Sequence, residues 1–356
     1  MNSRTLIMLS LVIFVLGCAW YVVEQQNFTT ELAVPLLYPR LLDRAGDAKE
    51  ILVESAVGTV TVSRRNGNWM VNELDGYPAA VAVIRRALME IAALHIVEVK
   101  TNRPDKYPVL GVEGRPLKRS QVGIVKIMDE KDASIVDLVI GKERVAQTPG
   151  SSGNYVRRNG EANAYLAEGE LRLGSNPTDW VNTEIVDLDA TRIQRVVLQP
   201  DKGEAIVVDR ADPKATSFTL QNIPEGQEVS ASTTVSGIGS LMLQTKFEKV
   251  VKAAAVASGT PRAIATVETF DGLVGIISYF PREKVAYVTL KFTQSAGKSS
   301  ADLAKEIATL NARVGGWAYV LPEDKANLLK TRFSELVQKK ARQGRTPVKA
   351  TMPAGH

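Results

Sequence analysis

One pattern in this chain occurs twice, and that constrains its fold more than any other feature. Residues 51–54 and 59–63 alternate apolar and polar side chains around Gly58, as the two arms of a hairpin do when one face is buried. Asn66-Gly67-Asn68 is a turn that delivers Trp69 into a further strand. Pro78 then opens a helix over 78–93 with Val81, Ile84, Leu88, Ile91 and Ala92 on one face. About 145 residues later the same order returns. Residues 196–198 read as a strand, Asp201-Lys202-Gly203 as a turn and 204–209 as a second strand. Phe218-Thr219-Leu220 then stands where Trp69-Met70-Val71 stood. Ile223-Pro224 replaces Tyr77-Pro78, and a weaker helical stretch runs to Leu243. The later parts also correspond: 123–141 with 264–280 as hairpins, and Ala164-Tyr165-Leu166 with Ala318-Tyr319-Val320. A large aromatic at the same strand position in both copies, Trp69 and Phe218, reads as a core plug.

At 356 residues the chain exceeds what one hydrophobic core serves, which agrees with a duplicated unit. Its 45% apolar and 23% charged residues exclude general disorder. One cysteine excludes a disulfide scaffold and a thiolate metal cluster, and two histidines leave little for an imidazole site. The net charge of +5 is concentrated at one end, since from Lys330 onward seven basic residues face Glu335 alone and the body sums to about −1.

Residues 6–23 hold no charge and as a helix would span about 27 Å, close to the hydrocarbon thickness of a bilayer. Arg4 precedes the run, Glu24 and Glu31 follow it, and Trp20-Tyr21 sits at its far end. The expectation is an uncleaved signal anchor in the inner membrane, single-pass, with a cytoplasmic N-terminus and a periplasmic body. A lipobox ending at Cys18 and a cleavage site at Gly17-Cys18-Ala19 are the alternatives. The expected class is therefore α+β: an N-terminal transmembrane helix followed by two related β-rich repeats, each with antiparallel hairpins and a crossing helix. Residues 1–23 form the anchor, 24–49 a stalk, 50–190 the first repeat, 191–343 the second and 344–356 a disordered basic tail. Residues 323–340 read as a helix burying Leu329, Phe333, Leu336 and Val337, and Gly150-Ser151-Ser152-Gly153 as a loop.

No catalytic, cofactor-binding or metal-ligating residue emerges. Ala296-Gly297-Lys298-Ser299 lies between a strand-like and a helix-like run, as a phosphate-binding loop does, but Phe292 occupies the place of its first glycine. Gly237-x-Gly239 is followed by Met242 where a dinucleotide fingerprint needs a third glycine. His95 has no nucleophile or carboxylate near it in sequence, so a structural role is expected. Asp187 and Asp189 share one side of an extended segment and would suit a hard cation or acid–base work, yet also suit an interdomain turn. Arg64-Arg65 and Arg157-Arg158 read as solvated pairs. The tail cations Lys339, Lys340, Arg342, Arg345 and Lys349 read as a solvated helix end, with anionic lipid headgroups as the competing partner. A periplasmic body leaves no nucleic acid to bind, and no cofactor is implied.

Several segments carry a resemblance: LLYPRLLDRAGDAKEILV around Pro39, NGNWMV, YPA from Tyr77, and KTNRPDKYPVLGVE from Lys100. VIGK leading to NYVRR and AYL, and WVNTEIVDLD from Trp180, continue it. In this order they resemble the bacterial family of unknown function DUF4340, over most of residues 36–260. The resemblance implies an N-terminal anchor and, in some members, association with ABC-type transport systems of the gliding-motility kind. It supplies no catalytic residues. The expected function is a non-enzymatic, membrane-anchored periplasmic accessory or scaffold protein, with a protein partner in the membrane or envelope. A small-molecule or glycan binding module with a groove between the repeats is the alternative, and an enzyme using Asp187 and Asp189 a third.

Overall fold

The computed structural model describes residues 35–118, 121–144, 153–283 and 285–340. The chain divides into two compact units between Val181 and Asn182.

The first unit is one nine-stranded antiparallel sheet. Its strands are β1 (Ala48–Ser55), β2 (Gly58–Arg65), β3 (Asn68–Val71), β4 (Tyr77–Pro78), β5 (His95–Thr101), β6 (Ile124–Asp129), β7 (Ser134–Arg144), β8 (Gly153–Arg158) and β9 (Ala164–Glu168). Their spatial order is β4-β3-β2-β1-β6-β7-β8-β9-β5. Helix α1 (Val81–Ala92) therefore carries the chain from one edge of the sheet to the other. The alternation seen in the sequence sets the register, because Ile51 opposes Val62 and Ile127 while Val53 opposes Val60 and Val125. All six are buried, since one face of a half-buried sheet must collect every second side chain. The α1 face of Ile84, Ala87 and Ile91 is buried likewise.

The second unit contains an eight-stranded sheet built from β11 (Ile193–Pro200), β12 (Ile206–Asp209), β13 (Thr219–Leu220), β16 (Lys249–Lys252), β17 (Ala263–Thr269), β18 (Leu273–Pro281), β19 (Ala286–Gln294) and β20 (Trp317–Val320). Its order, β13-β12-β11-β17-β18-β19-β20-β16, repeats that of the first sheet from β3 to β5. Two small ribbons accompany it: β10 (Glu184–Val186) with β15 (Thr245–Lys246), and β14 (Gln227–Val229) with β21 (Val337–Lys339). Helix α2 (Ser232–Gly239) takes the place of α1 in chain order, and α3 (Ala301–Val314) joins β19 to β20. Ser300 caps α3 by accepting from Leu303 N, satisfying one of the amides a helix start leaves open. Asn311 on α3 holds both the N–H and the C=O of Phe292 on β19, at 2.9 and 2.8 Å.

Two expectations are corrected. The described residues are β-rich with short helices, the longest having 14 residues. A bilayer span needs about 20, and no helix among the described residues is long and apolar enough to cross a membrane. The expected N-terminal transmembrane helix and the single-pass inner-membrane placement built on it are set aside on that finding. Residues 6–23 themselves lie outside the described residues, as do 150–152, Arg342, Arg345, Lys349 and the expected tail 344–356. The expected helix over 323–340 is also corrected. Only Glu323–Leu328 is α-helical, and Val337–Lys339 is the strand β21. Leu329, Phe333 and Leu336 are buried all the same, although only Val337–Lys339 of this segment pairs with β14.

Residues 35–40, expected as stalk, are stitched to the first sheet. Leu37 N donates to Leu94 O, and the Arg158 guanidinium donates to Leu37 O at 3.1 and 2.6 Å. Tyr38 Oη donates to Asp137 O at 3.0 Å, and burial pushes its pKa far above the ordinary tyrosine value. A raised tyrosine pKa gives stability that is intact below the unfolded-state value near 10 and is lost as pH rises above it, because only the unfolded chain then ionises. The denaturation midpoint of the first unit is therefore expected to hold to about pH 10 and fall above it. Tyr38→Phe should flatten that fall; an equal slope in both proteins would exclude Tyr38 as its source.

Candidate functional site

Two features are candidates, one in each unit. The first is the β5 edge of the nine-stranded sheet, which is largely unpaired among the described residues. Strand β5 pairs with β9 on one side, with register shifts between Ile96 and Glu98 and between Val99 and Thr101. On its outer side, among the described residues, only the beginning is covered, where Ile96 N donates to Pro35 O and Leu36 bridges His95. Beyond that point Val97 and Val99 are 45% and 56% exposed, and Leu36 is 42% exposed. An exposed strand edge with apolar side chains is costly to leave uncovered, and Glu98 paired with Lys100 is a partial safeguard. The strand in the same place in the second sheet, β16, is shorter and carries a lysine at each end, with Lys252 Nζ 3.5 Å from the Trp317 ring centroid. The second candidate is a groove of about 930 Å³ in the second unit, between the β11–β12 turn, the β17–β18 end and residues 329–339.

The residues singled out from the sequence are placed elsewhere. Asp187 Oδ1 accepts from Gln244 N at 2.8 Å. Asp189 Oδ1 accepts from the N–H and the hydroxyl of Thr191, both at 2.7 Å, and these bonds hold its carboxyl below the usual carboxylate range. Each carboxylate thus finishes a turn, and the two do not form a common site. No group of three potential metal ligands occurs among the described residues. His95 lies on β5 with Nε2 3.5 Å from Glu168, a carboxylate brought across the strand pair that sequence proximity could not reveal. Lys298 Nζ donates to Phe270 O at 2.6 Å, so the loop resembling a phosphate cradle closes a hairpin end. Gly237 and Gly239 serve packing: a Cβ at Gly239 would lie 2.3 Å from the Phe218 ring, and one at Gly237 2.9 Å from Leu328.

Other readings change with three-dimensional context. Trp69 and Phe218 are only half-buried, whereas Trp180 is fully buried and is the large plug of the first unit. Arg157 is not solvated: it is 8% exposed, donates to Val112 O and Glu161 O, and lies 4.8 Å over the Tyr107 ring. Tyr279, which lines the groove, was missed because its strand reads only as apolar alternation.

No curated protein matches the chain. A family described as a domain of unknown function, DUF4340, matches residues 69–262, a stretch running from the strand that carries Trp69 to the start of β17. With more than half of its length so matched, the chain belongs to the DUF4340 family.

Proposed function

We propose that this chain is a non-enzymatic accessory or scaffold protein whose first unit receives an extended segment of a protein partner along β5. The observation that supports it is the stretch of β5 that no described residue pairs on its outer side, with Val97 and Val99 exposed on the terminal strand of a nine-stranded sheet. Strand addition to such an edge satisfies main-chain donors and acceptors, while the exposed valines select alternate side chains of the incoming segment. The engagement of Asp187 and Asp189 in turns gives an enzymatic reading no comparable support. The partner class that the family resemblance implies is a permease or auxiliary subunit of an ABC-type transport assembly.

A photocrosslinking amino acid at position 99 of the intact protein, with the same probe at position 249 on β16 as control, tests the proposal. Adducts with transporter subunits at 99 and not at 249 are expected. Val97→Lys/Val99→Lys should reduce partner capture at least tenfold with the melting temperature unchanged. Capture that survives both substitutions, or no adduct where a control crosslink succeeds, would remove β5 as the docking strand.

A further inference from the structure

The groove in the second unit has a composition that its sequence neighbourhood alone does not suggest. Pro200, Pro224, Leu329, Phe333 and Val337 give its lining an apolar part about equal to the polar part. Tyr279 and Ala263 are register partners on β18 and β17 and both line it, the small alanine leaving room beside the phenol. Tyr279 is 6% exposed, and its hydroxyl has no hydrogen-bond partner among the described residues. Burial alone raises its pKa. That hydroxyl is not cut off from solvent, so a ligand acceptor would take the place of water there.

The rim supplies charge. Arg262 is paired with Asp201 at 2.5 Å. Lys202, Lys330, Arg332 and Lys339 line the same groove, and none of them forms an ion pair with a described residue. Three of these four belong to the basic end of the chain, which residues 329–339 fold back to form this wall. Against them stand Asp201, already engaged, and Glu204. The volume of about 930 Å³ lies within the range that holds a small organic molecule.

We propose that this groove binds a small organic phosphate monoester. Its apolar body would rest on Leu329, Phe333 and Val337, Tyr279 would donate to a phosphoryl oxygen, and Lys330 and Arg332 would neutralise the dianion. Exposed cations beside apolar lining suit both halves of such a ligand: the phosphate draws on charge-assisted hydrogen bonds, and the body on desolvated area. The site stands on different residues from the β5 edge and does not depend on it.

The experiment is titration of the intact protein with 1-naphthyl phosphate, followed by calorimetry and by chemical-shift changes of the groove residues. Binding at about 1 mM or tighter is expected, with inorganic phosphate and neutral 1-naphthalenemethanol each at least tenfold weaker. Tyr279→Phe removes one oxygen from the groove and should weaken binding three- to tenfold. Lys330→Gln/Arg332→Gln alters only exposed side chains and should weaken it at least tenfold, with a shallower salt dependence. Circular dichroism establishes that each variant is folded. No binding of 1-naphthyl phosphate by the unsubstituted protein would overturn the proposal. So would affinity unchanged in both variants, or inorganic phosphate binding as tightly as the ester.

Discussion

Trp180→Ala is expected to destabilise the first unit by about 3–5 kcal/mol, the range for removing a fully buried aromatic ring. The indole is fully buried, and its Nε1–H donates to Gly174 O at 3.0 Å. It ends the turn Pro177–Trp180, which packs against β2 and against the turn Asn72–Leu74. Its carbonyl accepts from Ala80 N at 2.8 Å, immediately before α1. The ring thus holds the loop 174–180 to the start of the helix and the first hairpin at once. Gly174 allows the close approach, for a Cβ there would lie 2.2 Å from Asp179 Cβ. Truncation leaves a cavity bounded by three elements, and none of them can close it without losing its own pairing. The thermal midpoint of the first unit should fall by roughly 10 °C, and Trp180→Phe should recover about half of that. A fall under about 3 °C would show that the loop relaxes into the space.

The strands were legible because alternation is a local signal. Ile51, Val53, Val60 and Val62 announce one buried face wherever the sheet ends up. The common strand order of the two sheets follows from the same spaced hairpins and the same helix between outer strands. The segment 323–340 misled for an equally local reason. Its apolar spacing fits a helix, but Lys330 N bonds Asn327 O and Thr331 N bonds Leu328 O, closing the helix and freeing β21 to pair with β14 a hundred residues earlier. Pairing across that distance leaves no periodic trace in the sequence. Trp69 and Phe218 have the size and place of plugs, yet the fully buried ring of the first unit is Trp180, which stands in a short turn. The groove was illegible for a third reason. Its cations, apolar lining and phenol come from five separated stretches, and the basic run after Lys330 reads as an ordinary helix end in the sequence, whereas residues 329–339 line one groove with Tyr279.

Arg157 carries the other large expectation. The sequence suggested a solvated pair with Arg158, yet the fold places the Arg157 side chain between β8 and the segment 104–117. That segment covers one face of the sheet: Tyr107 and Val112 cluster with Ile124, Val139 and Ala164, and Leu110, Leu117 and Tyr155 pack around them. Gly111, with φ of +74°, ends the turn Tyr107–Leu110 in the left-handed region that favours glycine. Tyr107 Oη then reaches Ala162 O at 2.6 Å. Gly141 beneath admits no side chain, since a Cβ there would stand 2.4 Å from Leu110 O. The segment makes these contacts as an irregular loop, without the strand pairing that would otherwise hold it. Arg157 supplies the fastening, with Nε donating to Val112 O at 3.0 Å, Nη1 to Glu161 O at 3.2 Å and the guanidinium stacked on Tyr107. Arg157→Ala strands two carbonyls that have lost their donor and opens a gap under the ring, for a loss of about 3 kcal/mol. Arg157→Lys keeps the charge but has no planar fork to reach both carbonyls, so it should recover less than half. Amide exchange at Gly111 and Val112 should accelerate at least tenfold in the alanine variant, while the α3 amides of the second unit stay unchanged. If the thermal midpoint and those two amides are unmoved, Arg157 is not the fastening and the segment is held by its apolar contacts and its other hydrogen bonds, such as Arg115 to Glu54 and Lys142 to Val109 O.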